Sequence, residues 1–158
     1  MKVVLVATDG SEGGTAALRE AADFASTHDA ELVVLTVMTR SPRLGSVSDE
    51  LRDYAAAEHL QRGVASGIRH VGENILAEAK SIVEDWDNLK ASYISRAGDP
   101  AEEIIACARE HSADTLFLGS RGLGPMGSFI LGSVSRKVAH AAGCTVKIAS
   151  ATEDKPFP

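Results

Sequence analysis

Five of the 14 glycines in this 158-residue chain fall between Gly119 and Gly132. Glycine lets backbone N–H groups turn toward a ligand and lets that ligand approach with no Cβ in the way. The stretch opens on an apolar run, Thr115-Leu116-Phe117-Leu118, and closes on a helix start at Gly132-Ser133-Val134-Ser135. A helix N-terminus presents N–H groups without intrahelical acceptors and carries partial positive charge. Strand, glycine loop and helix start therefore form an anion site, and the anion expected is a phosphate.

The loop is not of the Walker type, because no Gly-Lys-Ser/Thr closes it. Gly122, Gly124 and Gly127 satisfy G-x-G-x-x-G, but that fingerprint opens a βαβ unit with an acidic residue about 20 positions on. Here one strand follows, and Lys147 stands near that offset. Other reactive side chains give no catalytic pattern. His28, His59, His70, His111 and His140 are scattered, and none joins a Ser-His-Asp or metal-ligand arrangement. Cys107 and Cys144 are isolated, without metal or disulfide spacing, as reduced thiols of a cytoplasmic protein would be.

The elements that must position the loop follow from periodicity. Continuous apolar runs at Lys2–Ala7, Leu32–Val37 and Asp114–Leu118 predict parallel strands buried on both faces. Ala91–Ala97 is more polar, as an edge strand can be, and Thr145–Ala149 is the fifth strand. A helix starts at about Ser11, with Leu18, Ala21, Ala22 and Ala25 on its packed face and Asp29-Ala30 at its end. Gly13 and Gly14 weaken that start, which predicts a close backbone approach. Asp49–Asp87 reads as a long helical region with a break near Gly63. Its apolar stripe is Ile68, Ile75, Leu76, Ala79, Ile82, Val83 and Trp86, with Trp86 as packing. Asp99 is the expected N-cap of the next helix, with Pro100 at its first position and Glu102 at the capping-box position. Ile104, Ile105 and Ala108 form that helix's buried face, and Val134, Val138 and Ala141 that of the last helix.

Strand and helix alternate five times without an internal repeat, which predicts an open five-stranded parallel α/β sheet with helices on both faces. One domain over residues 1–150 and a polar tail over 151–158 account for the chain. Hydrophobic residues make up 44% and charged residues 24%, an ordinary globular balance. The net charge of -6 argues against nucleic acid as the main partner. No apolar run approaches the ~18–20 residues of a membrane-spanning helix.

The spacing Gly119-x2-Gly122-x9-Gly132-Ser133, with Val134-Ser135 after it, resembles the nucleotide-binding signature of the universal stress protein family, in its ATP-binding branch. The resemblance runs from Lys2 to about Ser150 and implies a Rossmann-like sheet of the adenine nucleotide alpha hydrolase type, in strand order 3-2-1-4-5. That order puts the winding reversal between the first and fourth strands, where open α/β sheets bind ligands. Carried over residue by residue, it assigns Gly119, Gly122, Gly132 and Ser133 to the phosphates and ribose, with Val134 and Ser135 beside them. Thr8 and Asp9 are placed at the exit of the first strand, by the adenosine, with capping of the following helix as a second role for Asp9. Val37 meets the adenine, and Gly98 and Pro100 floor its pocket. Ser120 and Arg121 follow the fourth strand, where Arg121 stands in place of a frequent His and can reach terminal phosphates. Thr145 replaces a frequent Pro, and the segment 123–127 is richer in glycine than the family pattern.

The resemblance implies a cytoplasmic stress-response module that binds ATP, with AMP and cyclic AMP as alternatives and Mg²⁺ able to accompany ATP. A nucleotide-independent partner-binding protein and a slow ATPase are the competing readings. A homodimer through the strand 145–149, with Val146 and Ile148 on one face and Lys147 on the other, completes the expectations, alongside an unidentified protein partner.

Overall fold

A computed structural model describes residues 1–39, 56–120 and 131–150. The expected tail over 151–158, the segment 123–127 and all but the first residue of the expected loop 39–48 lie outside them, as do Arg121 and Gly122.

The order of elements is β1 (Val3–Ala7), α1 (Glu12–Thr27), β2 (Glu31–Met38), α2 (Ala56–Val83), β3 (Ala91–Ala97), α3 (Pro100–Glu110), β4 (Thr115–Gly119), α4 (Ser133–Ala141) and β5 (Thr145–Ala149). All five strands are parallel, in the order β3-β2-β1-β4-β5. Strand residues alternate between two packed layers, which is why the central strands read as unbroken apolar runs. Val4, Val6, Leu32, Val34 and Phe117 face Leu18, Ala21 and Ala25 of α1 and Ala79 and Val83 of α2. Leu5, Val33, Leu35, Leu116 and Leu118 face Ile104, Cys107 and Ala108 of α3 and Val138 of α4. Trp86 packs against the first of these layers. Among the described residues no helix is long and apolar enough to cross a membrane.

Several local expectations need correction. The break near Gly63 does not occur, and α2 runs without interruption from Ala56 to Val83. The glycine at 72 has a packing reason instead. A Cβ there would lie 3.0 Å from Ser95 Oγ and 3.3 Å from Met38 Cγ, so its absence lets α2 settle onto β2 and β3. The end of α1 agrees with the expectation: its last residue is Thr27, and Asp29 stops it with a left-handed φ of 48°. In α4 the buried positions are Ser135 and Val138, with Ala142 just beyond the helix, whereas Ala141 is exposed.

The two sheet edges differ. On β3, Arg96 pairs with Glu110 and lies 3.6 Å from Glu103 of α3, so its charge is held against the neighbouring helix. The Glu110 carboxyl is lowered below the usual carboxylate range by that hydrogen bond, and the Arg96 guanidinium is raised by it. On β5, Lys147 bends back so that its Nζ sits 4.0 Å from the Phe24 ring centroid and 5.3 Å from that of Phe117.

Candidate functional site

The winding of the sheet reverses between β1 and β4, and the exits of those strands meet the start of α1. Thr8 stays on the sheet, its N–H donating to Leu35 O at 2.9 Å, and its hydroxyl accepts from Gly10 N–H at 3.2 Å. Gly10, at φ 79°, then turns the chain into α1. The N-cap of α1 is Ser11, not Asp9: Ser11 Oγ accepts from Gly14 N–H at 3.1 Å. Asp9 acts one step earlier, its Oδ1 accepting from the Ser11 N–H at 3.0 Å and from the Ser11 hydroxyl. The carboxylate is thus fixed in direction by the turn it holds.

Backbone approach is very close here. A Cβ on Gly119 would lie 2.5 Å from Gly13 C and 2.6 Å from Gly13 O, closer than any side chain tolerates. A Cβ on Gly13 would meet Ser120 O at 2.9 Å, and one on Gly14 would meet Thr8 Oγ1 at 2.7 Å. The weak helix start at Gly13-Gly14 and the first glycine of the loop signature are therefore two sides of one contact. It lets the end of β4 lie directly against the first turn of α1.

Helix α4 starts from Gly132, an N-cap at φ -59° and ψ 157° that supplies no side-chain hydrogen bond. Ser135, one turn in and 5% exposed, donates its hydroxyl to Gly119 O at 3.3 Å, which ties the helix start to the strand end. The backbone donors of this first turn and the Asp9 carboxylate border one cleft of about 260 Å³.

Thr8, Asp9, Gly119 and Ser120 line the cleft from the strand exits, and Gly132, Val134 and Ser135 line it from α4. Val37 and Pro100 line its other end. Gly98 and Ser133 are not among the lining residues, and Arg121 and Gly122 are outside the described ones. Gly98 faces α3 instead: at φ 151°, a Cβ there would meet Glu103 Oε1 at 3.0 Å. The sequence reading missed Thr36 and Met38 of β2, Val71 and Ile75 of α2, and Ile104 of α3 as cleft residues. Ile75 carried a helical signal, but it was read as core. Val71, 49% exposed, stands alone between His70 and Gly72 and carried none.

The chain is an open α/β domain, and its crevice lies at the carboxyl ends of parallel strands at the switch point, where domains of this class bind ligands. Residues 1–149 match the universal stress protein family, and the chain belongs to it. It is 33% identical over 150 residues to the universal stress protein YxiE of Bacillus subtilis, covering 92% of this chain and 96% of that one. Two solved structures share the fold. A universal stress protein in complex with cAMP has a TM-score of 0.66 at 23% identity, over 96% of this chain and 98% of its own. A universal stress protein family protein of Arabidopsis thaliana, with AMP bound, has a TM-score of 0.68 at 20% identity, over 98% and 95%.

Proposed function

We propose that this protein binds an adenine nucleotide in the crevice between β1 and β4 and serves as a cytoplasmic regulatory module of the stress response, with ATP as its nucleotide. The observation that carries the reading is the meeting of Gly119, Gly132 and the start of α4 with Asp9 at the winding reversal. The first turn of α4 offers backbone donors to phosphate. Asp9 supplies an acceptor suited to ribose hydroxyls, and the apolar wall of Val37, Val71, Ile75 and Pro100 suits a flat base. The relatives solved with cAMP and with AMP support the same ligand class. Isothermal calorimetry with ATP, ADP, AMP, cyclic AMP and GTP tests it. Adenine nucleotides should bind more tightly than GTP, and no binding by any of the five at millimolar ligand would refute the reading.

A homodimer through β5 belongs to the same proposal. Thr145 N–H donates inward to Asp114 O at 3.3 Å, so in strand alternation the N–H groups of Val146 and Ile148 face outward along a free edge. Ile148 is 37% exposed, and Lys147, drawn over Phe24 and Phe117, leaves that edge without a projecting charge. Light scattering should return twice the 16.6 kDa chain mass, and Val146→Pro, which removes an outward donor, should halve it. A mass that does not respond to Val146→Pro would put any dimer interface elsewhere.

A further inference from the structure

Among the described residues, one buried side-chain polar atom lacks a hydrogen-bond partner: Thr36 Oγ1. Thr36 is fully buried on β2, paired with Ser95 of β3 in the register, and it lines the cleft. A buried hydroxyl without a partner is unfavourable, and native proteins retain few of them. Valine, with the same branched shape and a comparable strand preference, would fill the position without that penalty. The neighbouring strand positions 33, 34, 35 and 37 are all Val or Leu, so the hydroxyl is an exception within its own strand.

Its place in the cleft indicates what it serves. At the β1, β4 and α4 end, hydrogen bonds tie Asp9 to Ser11, Ser11 to Gly14 and Ser135 to Gly119. Thr36 follows Leu35, whose carbonyl accepts from Thr8 N–H, and it lines the cleft together with the apolar Met38, Val71 and Ile75. We infer that the Thr36 hydroxyl completes its hydrogen bonding on the bound nucleotide, as the side-chain contact to the polar edge of the base. A hydroxyl both donates and accepts, so it can meet a ring nitrogen or an exocyclic amine. The inference rests on the adenine-nucleotide reading of the cleft and adds a specificity-determining residue to it.

Thr36→Val and Thr36→Ser, measured by calorimetry with AMP and ATP and by thermal melting without ligand, test the assignment. Thr36→Val should melt at the wild-type temperature or slightly above it, because an unpaired buried oxygen is gone. Its affinity for both nucleotides should fall about tenfold. Thr36→Ser keeps the hydroxyl and should bind within threefold of wild type. The opposite pattern, with Thr36→Val binding as tightly as wild type, would overturn the inference while leaving the nucleotide reading intact. A lower melting temperature with unchanged affinity would overturn it too, assigning the hydroxyl to a resident water. Failure of the wild-type protein to bind either nucleotide would remove the reading itself and this inference with it.

Discussion

The two ends of the cleft are built on opposite plans. At the β1, β4 and α4 end, backbone lies on backbone: Gly13, Gly14 and Gly119 leave no room for a Cβ, and the nearby hydroxyls and the Asp9 carboxylate are tied into turns. At the β2 and α2 end, side chains make the wall, and Thr36 alone among the buried side chains of the described residues has an unmet hydrogen bond. The difference shows that a glycine signature is not one physical requirement repeated. Gly119 is glycine because Gly13 occupies the space of its Cβ, whatever the cleft holds. Gly132 is an N-cap whose backbone, at φ -59° and ψ 157°, suits any good capping residue, so under the proposed function its reason to be glycine is the nucleotide phosphate.

The largest expected effect follows from that contrast. Gly119→Ala should destabilise the fold by about 3 kcal/mol, because the clash is with backbone atoms of Gly13 that cannot rotate away. For a domain of this size the loss is a drop in Tm on the order of 10 °C, read by thermal denaturation. An alanine accommodated without loss would mean that the end of β4 and the first turn of α1 are not locked together.

Gly132→Asp should separate stability from binding. Aspartate is a better N-cap than glycine by a few tenths of a kcal/mol and agrees with the helix dipole, so the melting temperature should hold or rise slightly. Its carboxylate would face a bound phosphate, and nucleotide affinity should fall tenfold or more, roughly 1.4 kcal/mol. Calorimetry beside a melt decides it. Unchanged affinity would make Gly132 a second packing glycine and erase the distinction from Gly119.

Ser135→Ala sharpens the comparison by a smaller amount. Loss of its hydrogen bond to Gly119 O should reduce stability by about 1 kcal/mol, with nucleotide affinity within threefold of wild type. The reverse outcome, normal stability with affinity reduced tenfold, would mean that the hydroxyl serves the ligand more than the strand.

What the sequence could reveal depended on whether a feature has a local cause. The bounds of β3 and β5 agree with the sequence reading, and Asp99 caps α3 by accepting from Glu102 N–H at 3.0 Å. Caps and strand periods are set within a few residues. The close approach at Gly13-Gly14 was also legible, since two glycines in a helix start need a reason outside the helix. The strand order came from family resemblance alone, because which strands become neighbours is not written in any one of them. The β2 and α2 half of the cleft was not legible. Ile75 and Val71 join the site only because α2 crosses the end of β2, a tertiary fact, and Thr36 looks like one more strand threonine until its hydroxyl is found unpaired. Persistence of α2 through Gly63 likewise runs against helix propensity, which tertiary packing commonly overrides.

The contact between Gly13 and Gly119 also bears on how the chain reaches its fold. Those residues are roughly a hundred positions apart, and a loop of that length closes late and slowly compared with local turns. On the ribosome, β1 and α1 emerge well before β4 exists to lie against them. A nascent chain lacking β4 can form helices and pair β1 with β2, yet it has only one bank of the crevice. The crevice is therefore complete only once the fourth strand closes over the first turn of the first helix.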